Sequence, residues 1–171
     1  MNFKRDQGDW FVKADDDTYM IIENLRYMLQ PYNSSHPLYF GSRYKTIGKN
    51  DQVIIKIFII IYYFLYIVKP QGYMAGGAGY VLSKEALQRF VTKGITDETG
   101  NICRKDGKGA EDAEMGKCMQ NLNVPAGDTR DALGRGRFLP LAPNYHLIPK
   151  IMDKKFWLWT SSYYPLEVVL S

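Results

Sequence analysis

Cysteine is scarce in this chain: Cys103 and Cys118 are the only two in 171 residues. Two are too few to diagnose a compartment. They either close one loop of about 15 residues, worth ~3 kcal/mol through chain entropy, or stand as two reduced thiols. An excess of one charge is missing as well. The formal net charge is +4, and Lys and Arg are scattered rather than gathered into a stripe. That argues against nucleic-acid binding. Met1-Asn2-Phe3-Lys4-Arg5-Asp6 carries charge with no apolar stretch behind it, so it does not read as a signal peptide. Val53 to Val68, the longest apolar run, has 16 residues with Lys56 inside. It falls short of the ~20 that span a bilayer.

What remains is a length that suits one domain with a real core, and a heavy aromatic load. The 13 Tyr, 8 Phe and 3 Trp concentrate towards the C-terminus. Flat apolar faces with polar tips suit sugar or peptide recognition, with core packing as the ordinary use of any one of them.

The most informative run is Asp9-Trp10-Phe11-Val12-Lys13-Ala14-Asp15-Asp16-Asp17-Thr18-Tyr19, an apolar strand that ends in three carboxylates. Adjacent carboxylates repel, and a divalent cation neutralises them best. Mg²⁺ or Mn²⁺ held by one or two carboxylates keeps positions open for substrate phosphates. Strand, Asp-x-Asp and a metal-bound diphosphate point to nucleotide-sugar transfer. The bland reading is an acidic turn capping a helix.

Further along, Ile21, Leu25, Met28 and Leu29 fall on one helical face, and Pro31 stops that helix. Asn33-Ser34-Ser35 is a glycosylation sequon at Asn33, which matters only in the secretory pathway. Leu38 to Gly41 reads as a strand. Gly72 to Tyr80 is a glycine-rich loop feeding the strand Tyr80-Val81-Leu82, after which Ser83 caps a helix through Phe90. A polar loop, Thr96 to Gly109, leads to Glu111-Asp112 at the start of a helix whose buried stripe is Met115, Cys118, Met119 and Leu122. Alternating strands and helices predict an α/β domain.

One segment does not fit. Ile47 to Val68 is almost entirely Ile, Tyr, Phe and Lys, without period 2 or period 3.6. These are residues that AT-rich codons encode, and the expectation is a spurious, intron-like insertion. A buried or membrane-facing segment is the alternative.

With those pieces in order, the chain resembles the core 1 β1,3-galactosyltransferase family. The matching stretches are DWFVKADDDTY, LYFGSRYK, KPQGYMAGGAGYVLSKEALQRFV, the EDAEMGKCM block, NVPAGDTRD and KKFWLWTSSYYP. The glycine-rich stretch and the Trp-Leu-Trp…Tyr-Tyr-Pro tail are more specific than the Asp triplet. The resemblance implies a GT-A, Rossmann-like α/β fold, incomplete at its N-terminal side. Residues 1–171 would then be a partial catalytic domain interrupted at 47–68. The family consists of type II Golgi membrane proteins with a luminal catalytic domain. It uses UDP-galactose and Mn²⁺ and adds β1,3-galactose to GalNAc on Ser or Thr of glycoproteins. A homodimer and a dedicated chaperone are the partners it implies.

Residue by residue, the resemblance implies Asp17 as a direct metal ligand, with Asp15 and Asp16 holding the ribose or the metal's waters; Asp15 is a second candidate ligand. Asp112 would be the base and Glu111 its neighbour. Gly76, Gly77 and Gly79 would let backbone approach the donor, although glycine runs also make plain turns. Trp157, Trp159, Tyr163 and Tyr164 are candidates for stacking on the acceptor, with packing the rival role for at least two of them. The family's C-terminal Ser-Phe-His-Tyr type stretch, which supplies a second metal ligand, has no counterpart before Ser171. His146 matches a different position and is not expected to be a ligand. Other readings are a related β1,3-transferase with another donor (fringe-like), a chaperone-like relative and an inactive fragment.

Overall fold

In the computed structural model, residues 8–46, 70–148 and 156–165 are described. The elements among them, in chain order, are β1 (Trp10–Lys13), α1 (Ile22–Leu29), β2 (Tyr39–Gly41), β3 (Arg43–Tyr44), β4 (Tyr73–Met74), β5 (Tyr80–Ser83), α2 (Lys84–Arg89), α3 (Glu111–Asn121), α4 (Pro143–Leu147) and α5 (Trp157–Ser161). None of the described helices is long and apolar enough to cross a membrane.

β5 is the centre of the fold. It lies between β1 and β2 and runs antiparallel to both. All four of its residues are buried, as a central strand covered on both faces requires. Side chains alternate across a sheet, so β5 serves two cores. Tyr80 and Leu82 pack with Tyr39, Met119 and Val124 on the α3 side, whereas Val81 packs with Phe40, Met28 and Leu29 on the α1 side. The α/β alternation expected from sequence is present, but among the described residues it yields antiparallel strand pairs.

Local signals place the helices. The fully buried Ser83 hydroxyl accepts the Ala86 N–H at 3.1 Å and so caps α2, while also bonding to Leu38 N and His36 O across the sheet. α1 ends at Leu29, two residues before Pro31. Ile21 departs from its expected place in the buried stripe of α1. It precedes the helix with extended backbone and is 50% exposed, which leaves Leu25, Met28 and Leu29 to face the core. Of the stripe expected for α3, Cys118, Met119 and Leu122 are buried and Met115 is partly buried against them, and Cys118 bonds to Cys103 of the preceding loop.

A second, two-stranded sheet lies beside the first. Arg43 pairs with Met74 and Tyr44 with Tyr73, antiparallel. The C-terminal stretch docks on its open edge through Lys45 N to Ser161 O (2.8 Å) and Tyr163 N to Arg43 O (2.9 Å). Leu158, fully buried, packs there on Tyr44 and Ala75.

Residues 47–68 lie outside the described residues, but the two strands that flank them form one hairpin. Removing 47–68 would join Tyr44 to Tyr73 through six residues, Lys45, Thr46, Lys69, Pro70, Gln71 and Gly72, an ordinary connection length. We propose that the segment is dispensable. Loop-closure entropy then favours the deletion variant by about 1 kcal/mol, and thermal unfolding should show a Tm a few degrees higher. A deletion variant that unfolds at lower temperature than the parent would mark the segment as structural.

Candidate functional site

The end of β1, the glycine-rich loop and the start of α3 meet at one place. Register dictates the first contact: Lys13 is the cross-strand partner of Tyr80, so both side chains stand on the sheet face that α3 covers. Glu111, the first residue of α3, reaches both of them. Its Oε1 accepts the Tyr80 hydroxyl at 2.5 Å, and its Oε2 lies 3.6 Å from Lys13 Nζ. Burial and the Glu111 carboxylate hold the Tyr80 phenol well above its ordinary range, so it remains a hydrogen-bond donor.

Lys13 Nζ also bonds to Asp15 Oδ1. That carboxylate raises the Lys13 ammonium above the usual lysine range. Asp15 opens a turn closed by Thr18, whose hydroxyl accepts the Asp15 N–H at 3.0 Å and whose N–H bonds to Asp15 O at 3.2 Å. Asp15, Asp16 and Asp17 are all exposed on this turn.

Asp112 is held by main chain. Its Oδ2 accepts the Gly76 N–H at 3.0 Å and its Oδ1 accepts the Ala113 N–H at 2.8 Å. Gly76 is buried at the meeting point: a Cβ there would lie 3.4 Å from Lys13 Nζ, 3.5 Å from Asp112 Cβ and 3.6 Å from Glu111 Oε2. Gly79 packs against the end of β1 and Gly77 is exposed.

The aromatic tail sits on the adjoining hairpin, joined to the site through Ala75, which packs on Tyr44 and Leu158 and precedes Gly76. Trp157 is 48% exposed and meets the Tyr44 ring edge-on at 5.8 Å. The Arg43 guanidinium lies 3.6 Å from the Tyr163 ring centre and donates to the Tyr164 hydroxyl at 3.3 Å. Arg130 stacks on Tyr164 at 3.9 Å. Trp159 is half-buried. Trp157 therefore offers the broadest open face of the four.

His146 belongs to another structure. Its Nε2 accepts the Leu141 N–H at 3.2 Å, and burial lowers its pKa below the ordinary 6.5, so the ring is a neutral acceptor. Asn33, the sequon residue, is exposed, and its Oδ1 accepts both the N–H and the hydroxyl of Ser35 at 2.9 Å.

Sequence reasoning passed over Lys13, Tyr80 and Tyr44. The alternation of Phe11 and Lys13 along β1 carried the signal for the first: a lysine on an inward face demands a partner. Among the described residues, the buried Tyr44 hydroxyl has no hydrogen-bond partner.

Chemically, the site offers hard carboxylate oxygens on an open turn beside an acidic helix start. Such oxygens suit Mg²⁺ or Mn²⁺. No group of three or more His, Cys, Asp or Glu side chains able to hold a metal occurs among the described residues.

Residues 1–131 match the Fringe-like family. Over 161 residues the chain is 44% identical to the glycoprotein-N-acetylgalactosamine 3-beta-galactosyltransferase 1 of Xenopus laevis, a match covering 94% of this chain and 38% of that protein. It is 30% identical over 127 residues to the beta-1,3-glucosyltransferase of Mus musculus, covering 73% of this chain and 20% of that one. With chondroitin sulfate synthase 3 of Mus musculus it shares 31% identity over 117 residues, covering 68% and 11% respectively. The chain spans well under half the length of the curated relatives it matches.

Proposed function

The chain belongs to the Fringe-like family, and from that premise we propose that it is an inverting hexosyltransferase. It moves galactose from UDP-galactose to O3 of GalNAc that is O-linked to Ser or Thr of a glycoprotein, in a GT-A fold. One observation carries this reading. Lys13, which bonds to Asp15 of the Asp15–Asp17 turn, meets the Glu111–Asp112 helix start at Gly76, and the galactosyltransferase likeness runs through all three stretches.

The O3 hydroxyl of GalNAc attacks the anomeric carbon, the bond from that carbon to the diphosphate breaks, and UDP departs from the opposite face. Asp112 takes the hydroxyl proton. Two main-chain N–H groups orient its carboxylate, and a carboxylate oxygen that accepts one hydrogen bond still has a lone pair for the acceptor. Glu111, engaged by Tyr80 and Lys13, screens and steadies its neighbour. Asp17 and Asp15 would hold a divalent ion such as Mn²⁺, which when bound supplies Lewis-acid stabilisation to the departing diphosphate. Asp16 faces the ribose in this reading, Gly76, Gly77 and Gly79 line the donor, and Trp157 stacks on the acceptor.

The Cys103–Cys118 bridge and the exposed Asn33 sequon support a luminal site of action, with the Golgi membrane as the compartment. A dimeric enzyme served by a dedicated chaperone is the assembly that goes with it.

A donor panel tests the assignment. UDP-galactose, UDP-glucose and UDP-N-acetylglucosamine are offered with Mn²⁺ and a GalNAc-bearing glycopeptide, and the product is read by mass spectrometry. Galactose should be transferred fastest, in β1,3 linkage. Faster transfer from either other donor would overturn the galactose assignment.

A further inference from the structure

Lys13 serves two carboxylates from different parts of the chain. It bonds to Asp15 on the turn, lies 3.6 Å from Glu111 on α3, and stands 5.8 Å from the centre of the Tyr80 ring. Its side chain is 33% exposed, and those of Asp15 and Glu111 are 41% and 56% exposed. The ammonium can therefore leave either partner without crossing a packed core.

Asp15 is also the first carboxylate of the triplet assigned above to a divalent ion. An ammonium and a divalent cation on one carboxylate repel each other. When the ion arrives, the ammonium must move, and Glu111 is the second carboxylate already beside it. We propose that Lys13 is the exchangeable counter-ion of this site: it occupies Asp15 when no metal is present, and a divalent ion displaces it towards Glu111. The inference rests on the metal reading of the preceding section. It makes Lys13 a positioning residue that links the charge state of the Asp turn to the acidic pair. When the ammonium shifts to Glu111, Asp112 is left beside a better-screened neighbour.

Titration calorimetry of Mn²⁺ in the presence of UDP tests this on the whole chain, with Lys13→Met, Lys13→Gln, Lys13→Arg and Asp17→Asn compared with the parent. Removing a competing exposed charge should tighten Mn²⁺ binding about two- to fivefold in both neutral variants. Lys13→Arg should show no tightening. With EDTA present, Lys13→Gln should melt below the parent, because Asp15 and Glu111 then face each other unscreened, and Mn²⁺ with UDP should close that gap. A merely structural lysine predicts the reverse, weaker metal binding on its removal. Unchanged or weaker Mn²⁺ binding in both neutral variants, alongside loss of binding in Asp17→Asn, overturns the counter-ion role alone. An Asp17→Asn variant that binds Mn²⁺ like the parent overturns the metal reading and this inference with it.

Discussion

Asp112→Asn should lower kcat by about 10² to 10⁴ while leaving UDP-galactose affinity nearly unchanged. A general base acts on the proton transfer, contributes typically 10²–10⁴-fold to rate and adds little to ground-state binding. The amide keeps the shape of the side chain, and its oxygen can still accept the Gly76 N–H that fixes Asp112 at 3.0 Å. It loses the capacity to take a proton, and also the bond from the Ala113 N–H, which then faces the amide NH₂. Glu111→Gln should cost less, because Glu111 is already committed to the Tyr80 hydroxyl and to Lys13. The measurement is steady-state galactose transfer to a GalNAc glycopeptide, together with UDP-galactose binding by calorimetry. Near-full turnover in Asp112→Asn with abolished turnover in Glu111→Gln would move the base by one residue. If neither variant loses rate, the acidic pair is only a helix start.

A large effect on stability is expected at Gly116, through packing rather than charge. This buried residue of α3 faces β4 so closely that a Cβ would lie 2.3 Å from Tyr73 Cβ, 2.8 Å from Tyr73 Cα and 2.9 Å from Gly72 O. Two of those three atoms are backbone, so a rotamer change cannot relieve the overlap and the helix must move off the strand. Gly72 cannot yield easily. Its φ of +80° already favours glycine, and a Cβ on it would sit 2.0 Å from Tyr44 O. Overpacking of this kind costs up to ~3 kcal/mol or more, against which alanine returns at most ~1 kcal/mol of helix propensity. Gly116→Ala should therefore lose about 2 kcal/mol, a fall in Tm of roughly 4–8 °C for a chain this size. Gly136→Ala, where the nearest atom to a Cβ is 3.9 Å away, should stay within ~0.5 kcal/mol of the parent. Equal melting of the two variants would contradict the close helix–strand approach. Displacing α3 would also draw Asp112 away from Gly76, so the loss of activity should exceed what the fall in stability predicts.

Much of this arrangement could be read from local chemistry. Ser83 before an apolar run announced a cap, Pro31 a stop, and the spacing of Met115, Cys118, Met119 and Leu122 a buried stripe; the structure has the cap and the stop, and buries the stripe fully except at Met115, which is partly covered. Each depends on residues within a turn or two of one another. The contacts that build the site do not. Nothing near Tyr80 reveals that β5 is flanked by both β1 and β2, since that register is fixed by burial on two faces at once. The bond from Arg43 to Tyr164 joins residues 121 positions apart, and a lone arginine in a two-residue strand carries no mark of the ring it will meet. Lys13 was half legible. Alternation put it on the inward face, but only the packing of α3 showed that Glu111 waits there. Ile21 failed for a simpler reason. Helical spacing identifies a face but not the residue at which the helix begins, and one residue of error took its side chain to solvent.

The Cys103–Cys118 bond encloses Glu111 and Asp112 within one covalent ring. Helix starts fray, and a frayed α3 would release the Asp112 carboxylate from Gly76 into a wide range of positions. Closing the ring cuts down the conformations available to that open state and so raises the free energy of opening. The bond thus acts on the lifetime of the acid pair in its working position rather than on any contact within it. A thiol reductant, though it touches neither sugar nor nucleotide, would shorten the time that Asp112 spends aligned, and amide exchange at the first turn of α3 would register the change before the fold as a whole gave way.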